Sequence, residues 1–168
     1  QWGDGNEADK SISKKLGFDF NWYSCFGGNT NINPLMESKV VEVLPDGARN
    51  VLNGHGVVVL QKEGAGSIPA ALDHLLTDRE NWEKHFLPRL QYSDDRVNFS
   101  NLEKIKDQAE RETPLGIHCG SLFGQIRNWI GVEGVSYIYA DDEELFEEII
   151  NTVGELSYKV VEKILSSG

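Results

Sequence analysis

One stretch determines the predicted fold: Thr113-Pro-Leu-Gly-Ile-His-Cys-Gly-Ser-Leu-Phe-Gly-Gln-Ile-Arg-Asn-Trp-Ile-Gly-Val-Glu-Gly134. Its beginning, residues 114–119, is apolar and predicts a buried strand. A sharp exit at Gly120-Ser121 follows, and apolar residues then recur at helical spacing. Because α/β proteins bind ligands where strands end and helices begin, we expect the functional site between His118 and Arg127.

The residues before this stretch predict an antiparallel meander. Three β-rich segments lie between residues 39 and 61, separated by Asp46-Gly47 and Asn53-Gly54. Such dipeptides between β-branched runs favour hairpin turns. An antiparallel excursion of this kind cannot belong to a wall of parallel strands, so we expect it to be an insertion.

Helical signals occupy much of the remaining sequence. Periodicity and capping residues predict helices at 7–16, 79–90, 100–112, 121–131, 134–140 and 142–165. The last of these carries an apolar stripe at intervals of three and four residues, formed by Leu145, Ile149, Val153, Leu156, Val160 and Ile164. Together with the strands, these helices predict a single domain, residues 1–168, of the α/β class.

Composition bounds the function. The chain has 168 residues, enough for one hydrophobic core, and a formal net charge of −11. This acidity argues against a nucleic-acid partner, whose phosphates require clustered Lys and Arg. No apolar stretch approaches the ~20 residues of a membrane-spanning helix. The two cysteines, Cys25 and Cys119, form no disulfide framework, so we expect a reducing, cytoplasmic setting.

Three motifs carry a family resemblance. Pro114-Leu-Gly-x-x-x-Gly-Ser-Leu-Phe-Gly124, Arg127-Asn-Trp129 and Asp141-Asp-Glu-Glu-Leu145 together resemble the uroporphyrinogen decarboxylase superfamily, which includes cobalamin-dependent methyltransferases. The pattern is most similar to its divergent bacterial branch. The resemblance implies that the chain is the N-terminal or an internal part of a longer (β/α)8 TIM-type barrel, with residues 39–61 inserted. Such barrels typically have ~250 residues.

The resemblance also implies an activity. The parent protein is expected to be a lyase of the kind used in porphyrin biosynthesis, which decarboxylates a carboxylated substrate without a cofactor. One alternative is a corrinoid-dependent methyltransferase, which needs a corrinoid protein and zinc. Another is a non-catalytic binding fragment. The arginine-rich motif and the early-strand aspartate of the decarboxylase have no match in this sequence, which favours the last alternative for this polypeptide and an inactive fragment.

Five residues are predicted to bind substrate: His118, Ser121, Phe123, Arg127 and Asn128. A guanidinium beside a carboxamide suits a carboxylate, although Arg127 has the alternative of a structural ion pair with an acidic neighbour such as Glu133. Ser121 either contributes to an anion site at a helix start or is only its N-cap. Aligned by Gly120, Asn128 falls near the position of a tyrosine that lines the decarboxylase pocket, so the role of that tyrosine does not transfer to this chain. His118 is expected to be a polar or proton-transfer group.

No metal site is predicted. His118 and Cys119 are adjacent, so on an extended strand they point to opposite faces and do not bind one ion together. The other histidines, His55, His74 and His85, are predicted to lie at the surface or in turns. A partial barrel leaves the stripe of helix 142–165 uncovered, which predicts a homodimer.

Overall fold

A computed structural model of the chain describes residues 6–18, 26–64, 69–98 and 116–167. In chain order its elements are α1 (Asn6–Leu16), β1 (Phe26–Gly27), β2 (Lys39–Val43), β3 (Arg49–Leu52), β4 (Val57–Gln61), β5 (Ala71–His74), α2 (Arg79–Asn81), β6 (Ile117–His118), α3 (Leu122–Asp141) and α4 (Glu143–Ser166). The predicted helix at 100–112 lies outside the described residues. No helix within the described ranges is long and apolar enough to cross a membrane.

The antiparallel meander is present and has one more strand than predicted. β2, β3, β4 and β5 form a four-stranded antiparallel sheet in that order. Gly47 takes a φ of +83° in the first turn, as the Asp-Gly signal predicts. β5 gave no sequence signal because Ala-Leu-Asp-His contains no β-branched residue, and its pairing with β4 makes it a strand.

The prediction that the chain forms part of a (β/α)8 barrel is wrong. Parallel pairing in the described residues is limited to a two-residue ladder between β1 and β6, which join Phe26 to Ile117 and Gly27 to His118. A barrel wall needs a succession of parallel strands with crossover helices. The strand predicted at 114–119 ends at His118, and a φ of +77° at Gly120 turns the chain away from it. The described fold is therefore mixed α/β around an antiparallel sheet.

Three aromatic residues join the helices into one core. Trp82, Phe86 and Trp129 are each at most 1% exposed, with ring centroids 6.4 Å apart for the first pair and 5.6 Å for the second. Trp82 and Phe86 lie on a π-helical turn that continues α2, and a 3₁₀ turn follows over Leu87–Arg89. The regular helix predicted for 79–90 is therefore wrong in form, because Pro88 has no N–H with which to continue the ladder.

The apolar stripe of α4 is covered within the chain. All six predicted residues are buried, with exposures of 0–3%: Leu145, Ile149, Val153, Leu156, Val160 and Ile164. They belong to the same core cluster as Trp82 and Trp129. The prediction of a homodimer assumed an uncovered stripe, and that assumption is wrong.

An ionic network ties α2 to α4. The Arg79 guanidinium contacts both Asp142 and Glu148 at 3.0 Å, and the Trp82 indole N–H donates to Glu148 at 2.8 Å. The hydrogen bond from Arg79 lowers the pKa of the Asp142 carboxyl below its ordinary value. Asp142 also caps α4 by accepting the Leu145 N–H. The start of α4 is thus fixed against α2.

Gly131 breaks α3 where the sequence predicted a boundary between two helices. Its φ of 76° and ψ of 164° are not helical. Beside this kink, the His74 ring nitrogen Nδ1 lies 2.9 Å from the Trp129 carbonyl oxygen. Because a carbonyl only accepts, Nδ1 is the donor. His74, predicted to lie at the surface or in a turn, is therefore a half-buried link between the sheet and α3.

Candidate functional site

A cavity with a volume of about 730 Å³ is lined by three segments that are distant in sequence, and most of its described lining residues are polar. The first is the asparagine loop, residues 28–31. The second is the β3–β4 turn, which contributes Asn53, His55 and Val57. The third is the segment 118–129, from the end of β6 into α3. This volume suits a small organic ligand, since such sites usually measure ~300–1,000 Å³.

His118 reaches the cavity from the parallel ladder. Its partner in the register is Gly27, and its side chain is exposed. The next residue, Cys119, instead lines a separate apolar groove beside α4 and is also exposed. The prediction that Cys119 lies in a buried strand is therefore wrong. In the described ranges, no group of three or more His, Cys, Asp or Glu side chains is arranged to hold a metal ion.

Gly120 brings the asparagine loop against the start of α3. Its φ of +77° lies in the region that favours glycine, and a Cβ there would be 2.8 Å from the Thr30 hydroxyl oxygen. Four residues into the helix segment, the Gln125 side chain donates to the Thr30 carbonyl at 2.8 Å. Two separate contacts thus fix the position of Thr30 in the cavity.

Ser121 lines the cavity and also caps α3. Its hydroxyl accepts the Gly124 N–H at 3.1 Å, so one of its lone pairs serves the helix itself. Phe123, predicted to bind substrate, does not line the cavity and is 58% exposed. From the start of α3 onward the cavity is lined by residues 121, 124, 125 and 127–129, a set that leaves out Phe123.

Arg127 and Asn128 both line the cavity, and their side chains contact each other. The guanidinium donates to the Asn128 Oδ1 atom at 3.0 Å. Within the described residues Arg127 forms no salt bridge, and Glu133 instead accepts a hydrogen bond from Tyr137. The predicted alternative, an ion pair with Glu133, is therefore not formed. The charge of Arg127 remains directed to the cavity surface.

A buried arginine holds the asparagine loop in place. Arg96 is 3% exposed, and its guanidinium donates to the backbone carbonyls of Asn29 and Asn31 at 3.0 and 2.7 Å. It also donates to the carbonyls of Arg89 and Gln91. Burial lowers the pKa of Arg96, but a guanidinium stays charged at any physiological pH. This cation is a structural clamp behind the cavity.

The asparagines that line the cavity present hydrogen-bond donors to it. Backbone N–H groups donate to the Oδ1 atoms of Asn29, Asn31 and Asn53 at 2.8–3.1 Å. Asn128 Oδ1 is occupied by Arg127. Because N–H groups only donate, these partners fix the orientation of each amide. The described part of the chain offers no acceptor to the four Nδ2 groups, which leaves them for a ligand.

The charge of the cavity is opposite to that of the chain. The net charge of the sequence is −11, yet none of the described lining residues is Asp or Glu. Arg127 is the one permanent charge among them, and His55 and His118 are the other titratable groups that line the cavity. A cationic, donor-rich surface of this kind is complementary to an anion whose oxygens accept hydrogen bonds.

Sequence reasoning placed His118, Ser121, Arg127 and Asn128 in the site but missed the other two segments. His55 was predicted to lie at the surface or in a turn, and it lies in the β3–β4 turn, but neither it nor Asn29, Asn31 or Asn53 was predicted to line a site. A signal existed in the asparagine-rich run from 29 to 33. Asparagine is also the ordinary residue of turns, so this signal did not indicate a site.

Comparisons with protein-family models, with curated proteins and with solved structures gave no match to this chain.

Proposed function

We propose that this cavity binds a carboxylate group of a small molecule, and that the parent protein is a uroporphyrinogen decarboxylase-like lyase of the cytoplasm. The single observation that carries the binding proposal is the polarity of the cavity. Its asparagine oxygens are engaged by the protein, its described lining contains no acid, and Arg127 has no ionic partner among the described residues. The reaction class rests on the sequence resemblance.

Carboxylate is the ligand chemistry that these groups fit best. A carboxylate only accepts hydrogen bonds, and its two oxygens match the parallel N–H groups of a guanidinium. A neutral ligand would leave the charge of Arg127 without a counter-charge. A cation would meet Arg127 without a compensating acid. The donors are thus selective for negative charge.

The two candidate roles within the cavity differ. Arg127 and the amide Nδ2 groups hold and orient the carboxylated ligand. His118 has a ring for which the described residues provide no hydrogen-bond partner, and it is the candidate for proton transfer. In a decarboxylation, the bond to the carboxylate carbon breaks and leaves an electron pair on the substrate. CO₂ leaves, and a proton must then be delivered to the substrate carbon that carried the carboxylate, which is the role assigned to His118.

Binding without turnover is the second candidate. The unmatched decarboxylase motifs favour it for this polypeptide, and the same cavity would then serve recognition alone. Release of CO₂ from a bound polycarboxylate distinguishes the two candidates, because only the lyase produces it. Loss of that release in His118→Phe, with retained binding, would assign the proton-transfer role.

Replacing Arg127 by glutamine should weaken carboxylate binding by roughly 10- to 100-fold, since a charged hydrogen bond contributes about 1.5–3 kcal/mol. Unfolding free energy should change by less than about 0.5 kcal/mol because the side chain is exposed. Succinate is titrated into ¹⁵N-labelled protein, and the side-chain amide signals of the four cavity asparagines report binding.

Arg49→Gln is the matched control, since it removes the same charge from an exposed position on β3 that does not line the cavity. It should bind succinate as the unmodified chain does. Glycerol and inorganic phosphate are titrated in parallel. Asparagine signals that ignore succinate, or that respond only to phosphate, would rule out the carboxylate proposal.

A further inference from the structure

The β3–β4 turn is held more firmly than a surface hairpin requires. Asn53 accepts the N–H groups of His55 and Val57 on its side-chain oxygen, at 2.9 and 3.1 Å. Gly56 is buried with a φ of +76°, and a Cβ there would be 3.0 Å from the Phe86 ring. The Gly56 carbonyl accepts the Leu75 N–H at 2.8 Å. The backbone that carries His55 is therefore fixed between the core and the cavity.

The imidazole of His55 differs from that of the structural histidine. His74 donates to a backbone carbonyl and so serves the fold. His55 is half-buried and lines the cavity, and the described residues provide neither of its ring nitrogens with a hydrogen-bond partner. A fixed backbone that presents an uncommitted polar ring to a cavity is the arrangement of a ligand-contacting residue.

His55 also comes from a different part of the fold than Arg127 and His118. Arg127 and His118 belong to the segment that runs from β6 into α3, whereas His55 belongs to the antiparallel sheet. The asparagine loop lies in the same cavity and presents further donors. A ligand with one acceptor group needs only Arg127 or only His55, whereas a ligand with two acceptor groups can engage both residues.

From this arrangement we infer that His55 is a specificity-determining residue that selects ligands with a second carboxylate. The inference rests on the proposed function, because it takes Arg127 as the anchor of the first carboxylate. The antiparallel sheet then contributes to ligand binding, because the His55 side chain on its β3–β4 turn contacts the second acidic group of the substrate. His55 acts by hydrogen bonding to that group.

The test compares the affinities for succinate and propionate, which differ by one carboxylate on similar carbon chains. The unmodified chain should bind succinate about tenfold more tightly than propionate, as one added hydrogen bond to a charged group predicts. His55→Phe keeps a ring of similar size without nitrogen, and it should abolish this preference while leaving the affinity for propionate within about twofold. His55→Gln, which keeps a donor, should retain part of the preference.

Each outcome bears on one proposal or the other. His55→Ala is measured in parallel, so that a folding defect of the phenylalanine variant does not prevent the test, and it should also lose the preference. An unchanged ratio of the two affinities in the folded His55 variants, or no preference in the unmodified chain, overturns the inference and leaves carboxylate binding intact. Failure of the unmodified chain to bind either acid overturns the proposed function itself.

Discussion

Replacing Arg96 by methionine is expected to lower the free energy of unfolding by about 3–5 kcal/mol. The guanidinium is buried and donates to four backbone carbonyls, at residues 29, 31, 89 and 91. Methionine fills similar space but donates nothing, so all four carbonyls lose this donor in a place that water reaches poorly. The Arg89 carbonyl alone of the four keeps a second donor among the described residues, the Asn33 N–H. For a chain of this length, the midpoint temperature of thermal unfolding should fall by roughly 10 °C.

Three comparisons isolate the cause. Arg49→Met removes an exposed arginine and should change the free energy of unfolding by less than about 0.5 kcal/mol. Arg96→Lys keeps the charge, but its ammonium group cannot donate to four carbonyls in the geometry of the planar guanidinium. Most of the loss in unfolding free energy should therefore remain. Succinate binding should also weaken in Arg96→Met at temperatures where it is folded, because the asparagine loop is released. Equal stability of Arg96→Met and Arg49→Met would refute the clamp.

The elements that the sequence predicted are those whose signal is local. The stripe of α4 consists of six apolar residues between positions 145 and 164, and its burial was predicted from their periodicity alone. The turns of the antiparallel sheet lie where Asp46-Gly47 and Asn53-Gly54 predicted them, although in the second turn the positive φ belongs to Gly56 and not to Gly54. The break at Gly131 was also visible, since glycine interrupts an otherwise apolar helical pattern.

The elements that the sequence did not predict depend on partners. β5 has little intrinsic strand preference and is a strand because β4 lies beside it. The parallel ladder was predicted to extend into a barrel, but strand pairing is decided by segments far apart in the chain, which periodicity does not report. The π-helical turn at Trp82–Phe86 places both aromatic rings in the core, a packing result with no local signature.

The site shows the same division. His118, Arg127 and Asn128 lie close together in one stretch, so their grouping was predictable. His55 comes from a turn more than sixty residues earlier, and only the folded chain brings it to the cavity. Arg96 was invisible as a clamp because its partners are backbone carbonyls, and every residue has one. Sequence patterns identify side chains, but they do not identify which backbone groups will need a donor.

Replacing Gly131 by alanine should destabilise the protein by about 2–4 kcal/mol, although the same substitution usually stabilises a helix. The φ of 76° and ψ of 164° belong to a region that is nearly exclusive to glycine. The new Cβ would also lie 2.8 Å from His74 Nε2, so the ring must move and its hydrogen bond to the Trp129 carbonyl is lost. Chemical denaturation measures the change.

Gly154→Ala is the matched control, because Gly154 lies within α4 and the nearest atom to an added Cβ is Leu122 Cδ2 at 4.0 Å. It should stabilise the protein by up to about 1 kcal/mol through helix propensity. Opposite signs for the two substitutions are thus expected, and equal effects would show that the kink carries no constraint.

The kink also sets the geometry of the site, since His74 on β5 joins the sheet that carries His55 to the helix that carries Arg127. Breaking that hydrogen bond leaves the His55 and Arg127 side chains unchanged but no longer holds the distance between them constant. Gly131→Ala should therefore reduce the preference for succinate over propionate more than it reduces affinity for propionate.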